Sequence, residues 1–83
     1  MTVEELKQKA KNIVSELLPD VGNEEIADDT DIFSLGLDSI NAMTLVANLQ
    51  DSFGIQLETS EFNFENFQNI ANIVEMIGRK KGL

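Results

Sequence analysis

Ser39 is the residue of this chain whose surroundings most invite chemistry, and it lacks the partners that a nucleophilic serine needs. It stands where Asp31-Ile32-Phe33-Ser34-Leu35-Gly36-Leu37-Asp38-Ser39-Ile40 runs into the most apolar helical pattern of the sequence. An oxygen at a helix start faces the unpaired N–H groups of the first turn and the positive end of the macrodipole, a setting that favours a phosphate ester. The chain contains no cysteine and no histidine. Disulfides, Cys/His zinc sites and any Ser-His or Cys-His pair within one chain are thereby excluded. Ser39 therefore reads as a point of attachment, not as a catalytic nucleophile.

The elements that must position Ser39 follow from periodicity and caps. Thr2 with Glu5 three residues on is a capping-box pattern, and Val3, Leu6, Ala10, Ile13, Val14 and Leu17 then recur at three- and four-residue steps. Pro19 ends this first helix near Leu17 or Leu18. From Asp20 to Gly36 no period is sustained, which predicts one long loop, anchored in the core by Ile26, Ile32, Phe33 and Leu35. A second helix is expected from Ser39 to Phe53, with Asp38 near its N-cap and Gly54 just past its end. It carries one stripe of Ala42, Leu45, Val46, Leu49 and Phe53 and a second, displaced stripe of Ile40, Met43 and Ala47. Either the second stripe is an exposed docking surface, or both are buried, as in the central helix of a bundle. Thr59 or Ser60 can cap a short helix through Glu61 to Phe64. Asn66 can cap a last helix carrying Phe67, Ile70, Ile73, Val74 and Ile77 and ending near Gly78. The expected fold is all-α: a small antiparallel four-helix bundle of three main helices and one short one, with a long loop between the first and second.

Size and charge narrow the functions further. At 83 residues the chain is read as one domain spanning 1–83, able to bury roughly 60–70% of its extended surface and too small for a deep cleft. Fifteen acids against six bases give a net charge of −9, and no Lys or Arg occurs between Asn12 and Gly78. Such a surface repels nucleic acid and anionic membranes and favours protein partners with basic patches. Asp28, Asp29 and Asp31 do not make a calcium loop. Counted from Asp29, Ser34 stands where the EF-hand requires glycine and Ile40 where it requires glutamate. None of the eight asparagines begins an Asn-X-Ser/Thr acceptor. The first residues lack the apolar stretch of a signal peptide, and no run approaches membrane-spanning length. A monomer in the cytoplasm, without membrane insertion, is expected.

The stretch from Asp31 to Ile40 resembles the attachment motif of the phosphopantetheine-dependent carriers, the acyl and peptidyl carrier protein family. The likeness extends over nearly the full chain, through the helix order, the long first loop and the Phe53-Gly54-Ile55 exit from the second helix. It implies a carrier, itself no enzyme, with 4′-phosphopantetheine covalent on Ser39. A phosphopantetheinyl transferase would install the group from coenzyme A, with Asp38 serving recognition by that transferase. Acyl groups would then ride as thioesters on the arm's thiol and be delivered in fatty-acid, polyketide or related biosynthesis. Ile40, Met43 and Ala47 fall where the family docks its partners, here acyl or aminoacyl ligases and acyl-transferring synthase enzymes. Since the chain opens with Met1 and closes soon after its last helix, a free-standing carrier is expected. Carriers of fatty-acid synthesis typically bear several acids along the second helix, whereas Asp38 and Asp51 are the only ones here. An aminoacyl or peptidyl carrier loaded by a stand-alone ligase is the alternative within the family. An unmodified acidic helical interaction domain is the alternative outside it.

Overall fold

The computed structural model describes residues 2–82, and of Asn23 the backbone alone. The first helix, α1 (Val3–Leu17), opens on a reciprocal pair of bonds. The Glu5 N–H donates to Thr2 Oγ1 at 3.1 Å, and the Thr2 N–H donates to Glu5 Oε1 at 3.0 Å. The backbone bond holds the Glu5 carboxyl below its usual range. Leu6, Ala10, Ile13 and Val14 are buried, while Val3, expected in the same stripe, remains exposed. At the other end Leu18 leaves helical geometry before Pro19 (φ −127°, ψ 73°) and enters the core, so that Leu17 is left only half-buried.

The stretch from Asp20 to Gly36 is packed down, as its apolar anchors predict. It folds into two 3₁₀ turns, Asn23–Glu25 and Ile32–Leu35, and buries Ile26 and Ile32 completely. Two backbone bonds stitch it to the far end of the chain: Ile32 N–H to the Gln68 carbonyl and Ala71 N–H to the Asp28 carbonyl, both at 2.9 Å. Asp28 also receives Lys7 Nζ at 2.8 Å and Lys11 Nζ at 3.3 Å, which ties the loop to α1. The two lysines hold its carboxyl below the usual range, and Asp28 in turn pushes the Lys7 ammonium up.

The second helix, α2 (Ser39–Phe53), has the expected limits. Gly54 closes it in the left-handed region (φ +65°, ψ 38°), as a C′ glycine should. Two cations from other helices meet its negative end: Lys9 Nζ donates to the Ser52 carbonyl at 2.6 Å and Lys81 Nζ to the Phe53 carbonyl at 2.9 Å. Lys9 also lies 4.9 Å over the Phe53 ring.

Beyond Gly54 the elements fall differently from the sequence expectation. A 3₁₀ turn, Thr59–Glu61, is capped by Glu58 and not by Thr59 or Ser60. The short helix, α3 (Phe64–Phe67), starts three residues later than expected and is capped by Asn63, whose Oδ1 accepts the Asn66 N–H at 2.8 Å. The last helix, α4 (Ile70–Lys81), is capped by Asn69 and not Asn66, and Phe67 belongs to α3. Nor does α4 stop at Gly78. It runs on to Lys81 because the left-handed residue is Gly82. Arg79, Lys80 and Lys81 then occupy its last turn, where cations complement the dipole.

The architecture is all-helical among the described residues, a small bundle in which α1 lies along both α2 and α4 and α3 packs on α4. Its core is wholly apolar: Leu45, Leu49 and Phe53 of α2 meet the buried residues of α1 and Ile70, Ile73, Val74, Met76 and Ile77 of α4. No polar or charged residue among those described is buried. No described helix is long and apolar enough to cross a membrane.

Candidate attachment site

Successive local choices bring Ser39 to the surface at the start of α2. Asp31 Oδ1 accepts the Phe33 N–H at 2.9 Å and opens the 3₁₀ turn Ile32–Leu35. Gly36 closes that turn at φ +113°, ψ 5°, its N–H donating to the Phe33 carbonyl at 3.3 Å. L-residues rarely adopt such a φ. The reversal sends Leu37 into the core, 4% exposed, and lets Asp38 and Ser39 emerge. Asp38 takes extended backbone geometry (φ −109°, ψ −179°), and its Oδ1 accepts the Asn41 N–H at 2.8 Å. Its carbonyl accepts the Ala42 N–H at 2.8 Å. Ser39 is therefore the first helical residue, exposed, beside the unpaired N–H groups of the first turn.

Both residues singled out at the attachment motif thus lie together, with Asp38 acting as an N-cap. The displaced stripe is outside the core: Ile40 and Met43 are each 76% exposed, and Ala47 is exposed as well. Of the inner stripe, Leu45, Leu49 and Phe53 are buried, while Ala42 and Val46 are half-buried and open onto a hollow. That hollow, about 370 Å³, lies between α2 and the segment around α3. It is lined by Phe33, Ser39, Ala42, Met43, Val46, Phe62, Asn63, Phe64 and Phe67. A second hollow, about 440 Å³, adjoins it and shares Met43, Val46 and Phe62, with Ala47 and Gln50 completing its wall.

Phe62 and Phe64 are the functional candidates that sequence reasoning missed. They are 47% and 56% exposed, and the Phe64 ring lies 5.2 Å from that of Phe33, tilted by 39°. The signal was present in Asn63. A cap between two phenylalanines, in extended geometry, holds both beside the helix start and out of its buried face. Polar bonds fasten this segment to α4: Lys80 Nζ meets Glu61 Oε1 at 2.9 Å, and Asn72 Nδ2 donates to the Glu65 carbonyl at 2.8 Å. The Glu58 N–H and Lys80 together hold the Glu61 carboxyl below its usual range.

The sequence pattern of the phosphopantetheine attachment site family matches residues 8–77. The chain belongs to that family. It is a carrier protein with the attachment domain for covalently bound 4′-phosphopantetheine, and the family is generally non-catalytic. It is 32% identical over 82 residues to the acyl carrier protein of Chloroherpeton thalassium, covering 98% of this chain and 99% of that one. Its identity to the D-alanyl carrier protein of Leuconostoc citreum is 36% over 75 residues, 82% of this chain and 96% of the other. The fold also matches a chain in the crystal structure of Bradyrhizobium japonicum glycine:[carrier protein] ligase complexed with glycylated carrier protein. The TM-score is 0.77 at 20% identity, over 86% of this chain and 96% of that one. A complex of that ligase with its cognate carrier protein and an analogue of glycyl adenylate gives a TM-score of 0.80 at 19% identity, over 89% and 96%. Both matched chains share the helical plan of the present chain.

Proposed function

We propose that Ser39 carries the 4′-phosphopantetheine, in a cytoplasmic carrier that a phosphopantetheinyl transferase modifies and acyl-transferring enzymes then visit. The observation that carries this reading is the placement of Ser39: an exposed hydroxyl at the first position of α2, beyond a glycine-dependent turn and beside an apolar hollow. The residues fit the group. The α2 N-terminus suits the phosphate, and the hollow that Ser39 borders leaves room for an arm to lie along α2 or swing clear. The thiol at the end of such an arm supplies thioester chemistry. This chain's own part is to hold Ser39 exposed at a fixed helix start, which Asp38 secures as the N-cap. With no histidine or cysteine in the chain, activation of Oγ falls to the transferase.

Coenzyme A, Mg²⁺ and a broad-specificity transferase, followed by intact-mass measurement, test the assignment. A mass gain of one phosphopantetheine is expected for the native chain and none for Ser39→Ala. A gain that survives Ser39→Ala, or no gain at all, removes it.

Two observations favour a second reading within the same function, an aminoacyl cargo loaded by a stand-alone ligase. One is the 36% identity to a D-alanyl carrier protein. The other is the lack of any acid in α2 between Asp38 and Asp51. Hydroxylamine release of the cargo from protein isolated from its native host decides between the readings: an amino acid supports the ligase-loaded carrier, and a fatty or polyketide acid refutes it.

A further inference from the structure

The outer face of α2 between Asp38 and Asp51 and the two hollows beside it carry no charged side chain. Ile40 and Met43 on α2 and Phe62 and Phe64 across the hollow are the large apolar side chains that stand out beside Ser39. No ionisable residue lines either of the two adjoining hollows. The acids of α2, Asp38 and Asp51, mark the ends of the helix, so about 18 Å of helix between them presents no carboxylate. The bases nearest the far end, Lys9 and Lys81, sit on the last carbonyls of α2. A basic patch laid along α2 would therefore find no acid in its middle, and at the far end it would meet Lys9 and Lys81 beside Asp51. Its Lys and Arg groups would be desolvated against Met43 and Phe62 without partners, which is unfavourable.

We propose that the enzymes acting at Ser39 hold this carrier through an uncharged apolar patch that receives Met43 and Phe62, and not through a basic one. The proposal rests on the carrier reading and departs from the expectation of basic patches on the partners. Apart from Asp38, the N-cap beside Ser39, the acids that dominate the composition lie outside this contact. They act as a general field around the molecule, while the grip at the site is apolar contact.

The sign of one substitution separates the two kinds of partner. Ala47 is exposed in the middle of the face, so Ala47→Glu leaves the fold intact while restoring an acid to α2. With a broad-specificity phosphopantetheinyl transferase as probe, the KM for the apo-protein should rise about tenfold in Ala47→Glu, because the carboxylate is desolvated unpaired. Met43→Ala should raise it as well. Ala71→Glu, the same change on an exposed residue of α4 away from these hollows, should leave KM unaltered. For the native chain, KM should shift less than about twofold between roughly 20 and 300 mM NaCl. A KM that falls or holds in Ala47→Glu, or rises tenfold with salt, overturns the apolar patch. Failure of the native chain to gain phosphopantetheine removes the carrier reading itself, and the two failures are read from different measurements.

Discussion

Replacing Gly36 tests how Ser39 is held, because the cost should come from backbone geometry and not from crowding. At φ +113°, ψ 5° the residue lies well outside the region open to L side chains, yet an added Cβ would find only Leu18 Cδ2, at a comfortable 3.9 Å. Gly36→Ala should therefore carry backbone strain alone, about 1–3 kcal/mol. For a domain of this size that lowers Tm by roughly 5–20 °C. Replacement of Gly36 by D-alanine through chemical synthesis inverts the preference. A D-residue favours positive φ, the Cβ environment is open, and the unfolded chain loses freedom, so stability should hold or rise by up to about 1 kcal/mol. Gly54 supplies the contrast, since φ +65°, ψ 38° is a geometry that asparagine also adopts, and Gly54→Asn should cost little. Thermal melts by circular dichroism, with transferase kinetics on the same samples, give both readouts. Equal melting temperatures for the L- and D-alanine proteins at position 36 would refute the reasoning, because strain at that φ would then not be what fixes the turn.

Asp38→Asn keeps a side-chain oxygen for the Asn41 N–H and removes the charge, whereas Asp38→Ala removes both. The alanine variant should lose roughly 0.5–2 kcal/mol in chemical denaturation, and both should be modified more slowly if the carboxylate serves the transferase. Native modification rates for the asparagine variant would reduce Asp38 to a cap. Asp28→Asn should lower Tm by loosening the loop from Lys7 and Lys11. The Asp28 carboxyl is depressed in the fold, so its contribution is complete above its unfolded pKa of about 3.9 and fades as pH falls through the lower folded value. The Lys7 ammonium is raised, so its contribution holds below an unfolded pKa of about 10.4 and fades as pH rises through the folded value. The Tm difference between native and variant should thus be flat from about pH 5 to 10 and shrink on both sides. A constant difference down to pH 2 would mean that the charge pair is not the cause.

The first half of the chain was open to reading because its signals are single and unambiguous. One capping box starts α1 and one proline ends it. One glycine stands where α2 must begin and another where it must stop. The helices after Leu57 were misplaced because the caps there are degenerate. Asn63, Asn66 and Asn69 are spaced three apart, and each could accept the N–H three residues on. Tertiary bonds decide among them: Asn66 turns its amide to the Glu61 carbonyl and lies inside α3, leaving Asn63 and Asn69 as the caps. Gly78 misled for a related reason. A glycine ends a helix when the backbone turns left-handed, and α4 makes that turn at Gly82. Asp28 was legible as an acid in a loop, but its role as the tie to α1 required knowing that Lys7 and Lys11 point across the same seam.

Every lysine and arginine has a partner within the molecule. Lys7 and Lys11 close on Asp28, Arg79 on Glu75, Lys80 on Glu61, and Lys9 and Lys81 on carbonyls at the end of α2. Most of the fifteen acids therefore have only the surrounding solution to balance them, and folding draws that negative charge together against its own repulsion. The ions of the medium become a component of the folded state: a cation atmosphere condenses as the chain closes and disperses as it opens.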